Sequence, residues 1–271
     1  MLTTILMTAL AAGLALQPGA ENKNRPHVSL KLVSEEIHLR PGATQTLGLV
    51  FTMEPHWHVY YKGLEGGGNP PKIEQTSLPD GYTLGEIEWP APQRYIAPGD
   101  VYDSVYGDQV TLLLPLHVPK DAKPGEKVTI GLKMTWLECS EVCVFGAGES
   151  SISLPVSTDA SKKSDDAKLI DTSRAKLPVA LPTDGSVSVK LAGGVMTVQA
   201  AKATRIEFYP GSECTDVDEP AKTTRADGPT LQVPFVGPDK NRARAFGVLG
   251  VWSGPNEKPS YFRIDASEKS G

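Results

Sequence analysis

The stretch Thr135-Trp136-Leu137-Glu138-Cys139-Ser140-Glu141-Val142-Cys143-Val144 holds two of the three cysteines in the chain, and the rest of the sequence reads as a scaffold for it. A disulfide needs its Cα atoms roughly 4.4 to 6.8 Å apart, whereas residues four apart on one continuous strand lie about 13 Å apart. The chain must therefore turn between the two cysteines. A three-residue loop, Ser140-Glu141-Val142, sets Cys139 and Cys143 opposite each other at the ends of two antiparallel strands, a geometry that permits a bond. A ring of about five residues contributes only about 2 kcal/mol in the loop-entropy account, against about 4.7 for a hundred-residue loop, so the bond is a poor staple. A chain of 271 residues has core enough without it, which favours redox chemistry over a structural role. A metal site is the third reading. His56 and His58 alternate onto one face if they lie on a strand, and with two thiolates they compose a donor set for zinc or copper. The usual C-x2-C spacing is absent, and a histidine pair on a strand is commonly plain polar surface.

At the N-terminus, Ile5 to Leu16 is an apolar run too short to span a membrane but of the length of a signal-peptide core, so residues 1–20 are expected to direct export. No Lys or Arg precedes that run. With 26 Gly, 23 Pro, 39% hydrophobic and 22% charged residues, the chain has a globular composition with little room for long helices. Its net charge is −5, and no basic cluster carries interleaved aromatics, which excludes nucleic acid as an expected partner. Three cysteines are few for a disulfide scaffold and odd in number, so the short spacing predicts a bond between Cys139 and Cys143 and a free thiol at Cys214.

Beyond the leader the periodicity is mostly two. His27 to Val33, Thr44 to Met53, Trp57 to Tyr61, Leu84 to Trp89, Val110 to Val118, Val128 to Leu137 and Ser151 to Val156 read as strands. Turn signals such as Pro41-Gly42, Pro79-Asp80-Gly81 and Pro98-Gly99-Asp100 separate them, a spacing that suggests a β-sandwich over residues 23–157. Residues 158–180 are polar and read as a linker carrying a short helix, with Ser164 as its expected cap. Residues 181–267 return to short strands, Gly193-Gly194 marks a two-residue hairpin, and a second, smaller β-domain is expected there. The class is all-β.

Trp57-His58-Val59-Tyr60-Tyr61-Lys62, the run Gly66-Gly67-Gly68 followed by Pro70, Trp89-Pro90-x-Pro92, Tyr106-Gly107 and Trp136-Leu137-x-Cys139-x3-Cys143 occur in an order that resembles the N-terminal periplasmic domain of the DsbD/ScsB family of thiol:disulfide interchange proteins. The resemblance covers about residues 27 to 156, and the tail more loosely resembles the second β-domain of ScsB-type members. It implies an immunoglobulin-like sandwich whose cysteine pair exchanges electrons with thioredoxin-like or other periplasmic redox proteins, as one component of a protein-disulfide reductase system and without a further cofactor. Family members continue into a membrane domain and usually a thioredoxin-like domain. These 271 residues carry neither, so a separate membrane protein is the expected electron donor. The resemblance also implies that one of Tyr60 and Tyr61 gives the cysteines a hydroxyl hydrogen bond. The rival readings are a non-catalytic binding or assembly module with a structural disulfide, and a Cys/His metal-binding protein.

The charges between Thr135 and Ser151 are Glu138, Glu141 and Glu149, with no base, and carboxylates raise a neighbouring thiol's pKa. Neither cysteine is then expected to be a strong nucleophile on local sequence alone. Cys214, between Glu213 and Asp216, has only acidic neighbours and reads as a buried or spare thiol.

Gly63 to Pro70 is too glycine-rich to hold one conformation, and the resemblance favours its reading as a cap over the cysteines. Leu64 is the one large apolar side chain among its glycines, and burying it over the sulfurs contributes about 1.5 to 3 kcal/mol. Leu64→Gly on a Cys214→Ala background is therefore expected to speed alkylation of the reduced pair about tenfold, one decade of opening equilibrium, with thermal stability nearly unchanged. Equal alkylation rates with and without Leu64 would make the segment an ordinary loop.

Overall fold

A computed structural model describes residues 26–63, 68–237, 242–254 and 257–268. Ten strands form its first part: β1 (Val28–Ser34), β2 (Thr44–Met53), β3 (His58–Tyr60), β4 (Lys72–Ser77), β5 (Thr83–Leu84), β6 (Gln93–Ala97), β7 (Val101–Gly107), β8 (Gln109–His117), β9 (Lys127–Cys139) and β10 (Cys143–Pro155). They make a four-stranded sheet ordered β1-β2-β8-β5 and a six-stranded sheet ordered β10-β9-β3-β7-β6, with β4 also on β9. On β9 the apolar residues recur at every second position, so Val128, Ile130, Leu132, Met134 and Trp136 all enter the space between the sheets. Phe51, Leu112 and Leu114 meet them from the other side, with Phe51 edge-on to the Trp136 indole at 5.3 Å. Two glycines of β10 make room for that indole. A Cβ at Gly146 would lie 2.2 Å from Trp136 Nε1, and one at Gly148 2.9 Å from Trp136 Cη2.

Alternation fails where a second layer covers the outer face. Leu112, Leu113 and Leu114 are all fully buried because α1 (Ala167–Arg174) lays Ile170 against Val33, Val50 and Leu113 on the far side of the four-stranded sheet. Ion pairs fix the segment at both ends of α1: Glu35 binds Lys163 and also Arg174 at 2.6 Å, and Lys31 meets Asp166 at 3.1 Å. The N-cap is Asp166 rather than Ser164, and Asp166 makes no side-chain capping bond. The Ser164 hydroxyl accepts the Asp166 amide two residues on and donates to the Ser34 carbonyl, which ties the entry of the helix to β1.

The strand expected over Leu84 to Trp89 is reduced to β5 and an isolated bridge between Glu88 and Leu113. Gly85 still donates to the Pro115 carbonyl, but proline has no N–H to return, so the ladder stops there. Conversely, β6 and β7 form a hairpin around Pro98-Gly99-Asp100, with Ala97 opposite Val101. Gly99 and Asp100 take positive φ in its turn.

The remaining strands are β11 (Ser188–Ala192), β12 (Val195–Gln199), β13 (Arg205–Pro210), β14 (Arg225–Ala226), β15 (Thr230–Pro234), β16 (Arg244–Trp252) and β17 (Ser260–Ser267), with one short helix, α2 (Pro220–Thr223). They build sheets ordered β11-β12-β15 and β14-β13-β16-β17 around Met196, Val198, Phe208, Val233 and Leu249. Gly193 and Gly194, both at positive φ, close the tight β11–β12 hairpin, as that glycine pair predicts. This group abuts the first through β6 and β7. Tyr102 donates to the Phe208 carbonyl at 3.3 Å, Arg94 donates to the Ala221 carbonyl, and Tyr209 and Val248 join the sandwich core. No helix among the described residues is long and apolar enough to cross a membrane.

Because Ile170 is fully buried under α1, Ile170→Ala is expected to destabilise the protein by about 2 to 5 kcal/mol in chemical denaturation. A change within about 0.5 kcal/mol, the range of an ordinary surface substitution, would mean that the helix is an undocked linker.

Candidate functional site

The β9–β10 hairpin pairs Cys139 with Cys143, and its loop is Ser140 to Val142, closed by a bond from Ser140 N–H to the Val142 carbonyl at 3.0 Å. The two Cα atoms lie 4.1 Å apart and the sulfurs are bonded to each other. Cys214 is unpaired and half-buried in the second group of sheets, where burial pushes its thiol up to about 11.

Strand pairing assembles the surroundings of the disulfide from residues far apart in sequence. Cys139 lies opposite His58 of β3, and His58 opposite Gly107 of β7. Tyr60 lies opposite Val105, Val105 opposite Gln93, and Asp103 opposite Tyr95. Directly paired residues project to one face of a sheet, so Cys139, His58, Tyr60, Val105, Asp103 and Tyr95 share the face turned away from the sandwich core. Tyr60, Val105 and Cys139 form a small buried cluster with Tyr95 and Leu137 against it.

Within this cluster the Tyr60 hydroxyl donates to Cys139 Sγ at 3.2 Å and lies 3.9 Å from Cys143 Sγ. Burial, and then the charge of Asp103, push the Tyr60 phenol up to about 12, so it remains a donor at neutral pH. The two sulfurs are not equivalent. Cys139 is 2% exposed, whereas Cys143 is open to solvent. Around Cys143 the hairpin presents Val142 at 63% exposure and Phe145 at 82%, with Val144 also exposed. Phe145 pairs with Leu137 and therefore stands on the disulfide face.

Tyr61, the neighbour of Tyr60 in sequence, enters the sandwich core, edge-on to Trp89 and Tyr106. Glu138 is buried on the core side, where its carboxylate accepts from Trp136 Nε1 at 2.8 Å and from the His27 amide at 2.9 Å. Glu141 is exposed on the hairpin loop. His56 is exposed in a turn ahead of β3, at φ 70°, so the two histidines do not alternate along one strand. Among the described residues no group of three or more His, Cys, Asp or Glu could hold a metal ion. Leu64 lies outside the described residues. The segment that follows returns over the site: a Cβ at Gly68 would lie 2.2 Å from the Tyr60 ring, and Leu137 N–H donates to the Asn69 carbonyl at 3.1 Å.

Sequence reasoning missed Asp103, Val105 and Tyr95 because β6 and β7 were not recognised as strands. It weighed His58 only as a metal ligand. The signal that finds all four is the Pro98-Gly99-Asp100 turn read as a hairpin, since its register carries β7 to β3 and β3 to the cysteine.

Residues 31–155 match the family model for the N-terminal domain of thiol:disulfide interchange protein DsbD. No curated protein gives a significant match. Among solved structures, the N-terminal periplasmic domain of ScsB from Proteus mirabilis superposes with a TM-score of 0.55 at 14% identity, covering 93% of this chain and 97% of that one. A protein of unknown function from Porphyromonas gingivalis W83 is more distant, with a TM-score of 0.29 at 13% identity over 89% of this chain and 100% of that one. The family match spans both sheets of the sandwich and the cysteine hairpin, and residues 31–155 are thus an N-terminal domain of the DsbD family, with its immunoglobulin-like all-β fold.

Proposed function

We propose that the chain is an exported, periplasmic thiol:disulfide interchange module that passes electrons to or from protein partners through Cys139 and Cys143. The observation that carries this reading is the asymmetry of the pair. One sulfur faces solvent beside exposed apolar side chains, and the other is buried against a phenol that donates to it. A partner's thiolate attacks Cys143 Sγ in line with the S–S bond, a new S–S bond forms, and Cys139 Sγ leaves with the electron pair. Tyr60 already donates to that sulfur, so the negative charge develops where a hydrogen bond is in place, and no reorganisation is needed. The reverse sequence oxidises the dithiol. Val142 at the hairpin tip and Phe145 on the disulfide face form the apolar surface against which a thioredoxin-like or similar redox protein docks. Glu138 supports the hairpin from the core side by holding Trp136 and the start of β1, and residues 181–267 act as an accessory β-domain braced against β6 and β7. A separate membrane protein is the natural donor of electrons.

Two measurements test this. With Cys139→Ala and Cys214→Ala, the exposed Cys143 should form a stable mixed disulfide with a thioredoxin-like protein, and Cys143→Ala in its place should give about tenfold less adduct or none. Equal trapping by both single-cysteine proteins would remove the assigned order of attack, and no trapping by either would remove the function. Replacing both cysteines with Ala should abolish exchange while costing only about 2 kcal/mol or less in denaturant unfolding, because the closed ring is so small. Failure of the double variant to fold would promote the structural reading of the bond.

A further inference from the structure

The pairing of β3 with β9 makes His58 the direct cross-strand neighbour of Cys139 on the buried side of the disulfide. Its ring is 5% exposed and wedged between the Tyr60 ring, at 5.4 Å between centroids, and the Tyr95 ring, at 4.7 Å. Its Nε2 has no hydrogen-bond partner. Among the described residues only Arg94 Nε and Arg205 Nε share that condition, and a guanidinium nitrogen can only donate. Among the described residues His58 thus carries the one unpartnered buried side-chain nitrogen or oxygen that can accept a proton, and its residue lies directly across the strand pair from Cys139, whose sulfur becomes a proton donor when the disulfide is reduced. Buried polar groups are nearly always paired, so the vacancy calls for a partner in another state of the site.

Resting on the exchange reading above, we propose that His58 is the proton acceptor for Cys139 in the resolving step. In the reduced protein the Cys143 thiolate first attacks a partner's disulfide, one partner sulfur leaves as a thiolate, and a mixed disulfide remains on Cys143. The Cys139 S–H proton then passes to His58 Nε2 as the Cys139 sulfur attacks Cys143 Sγ. The bond from Cys143 to the partner breaks, and the second partner thiolate departs with its electron pair. The dithiol is oxidised, the partner disulfide is reduced, and the proton on the imidazolium is returned to solvent or to the departing thiolate. Burial holds the His58 pKa below the ordinary histidine value, so the ring is neutral and able to accept at neutral pH. The other titratable groups on its face are Tyr60 on β3, Asp103 on β7 and Tyr95 on β6, while Glu138 of β9 and Tyr106 of β7 lie on the core side. Tyr60 is a donor held in its protonated form, and burial raises the Asp103 carboxyl. Asp103 lies opposite Tyr95 and bears on the Tyr60 phenol, whereas His58 is the one of these groups directly opposite Cys139.

The experiment is a titration of Cys139 alone, in protein carrying Cys143→Ala and Cys214→Ala, followed by the ultraviolet absorbance of the thiolate. With His58 present the thiolate should form at a pH at least about one unit lower than with His58→Phe, a tenfold difference in thiolate fraction at a given pH. His58→Gln, which can hydrogen-bond but cannot take the proton, should behave like His58→Phe and serves in its place if the larger ring prevents folding. Superimposable titrations of the folded proteins would overturn the assignment. In the otherwise intact domain, His58→Gln should slow resolution of a mixed disulfide about tenfold or more and remove the histidine inflection from its pH profile. An unchanged profile would overturn it equally. The titration uses no partner, so a shift seen in a protein that exchanges with no protein disulfide would uphold the His58–Cys139 pairing and refute the exchange function instead.

Discussion

The register of β9 between β10 and β3 governs both faces of the six-stranded sheet together. Side chains alternate along a strand, so the pairing that sends Trp136 and Glu138 into the sandwich also sends Leu137 and Cys139 to the opposite face. A slip of one residue would expose the indole and bury the cysteine in the core. Trp136 resists that slip through its contact with Phe51 and its bond to Glu138, and β10 resists it through the two glycines that leave space for the ring. The position of the disulfide is therefore specified by core packing on the far side of the sheet.

The same constraint explains why the acidic residue next to Cys139 in sequence does not reach its sulfur. Along the chain Cys139 follows Glu138, but a neighbour in sequence on a strand is a neighbour on the wrong face. The carboxylate is spent on Trp136 and the His27 amide. What faces the sulfur comes from β3 and β7: a phenol that donates, an imidazole with an open nitrogen, and Val105. The surroundings of the sulfurs are thus a property of strand order and cannot be read from the residues flanking the cysteines.

Much of the fold was legible because two signals are strong. Period-two alternation marks β9, β2 and β8, and the Cys-x3-Cys spacing forces a hairpin whose loop and pairing follow from chain geometry. The β6–β7 hairpin was not legible, because Val101-Tyr102-Asp103-Ser104-Val105-Tyr106-Gly107 places a polar functional face and a contact with the second group of sheets on the same strand, leaving no clean apolar alternation. For the same reason the site was half visible. Its sulfurs are marked by their spacing and Tyr60 only together with Tyr61, through the resemblance, whereas Asp103, Val105 and Tyr95 depend on a register that only the folded sheet supplies. The helix α1 shows a different limit: its polar composition reads as linker, yet one isoleucine and three ion pairs are enough to dock it.

Strand β10 divides its residues between two duties in strict alternation. Gly146 and Gly148 are committed to the tryptophan and admit no side chain, whereas Phe145 between the disulfide and Gly146 projects freely into solvent. Variation is thereby partitioned along a single strand: Phe145 can drift under selection for whatever it touches, while Gly146 and Gly148 are frozen by the fold. A lineage with this hairpin can change the company its disulfide keeps, one exposed side chain at a time, without passing through an unstable intermediate.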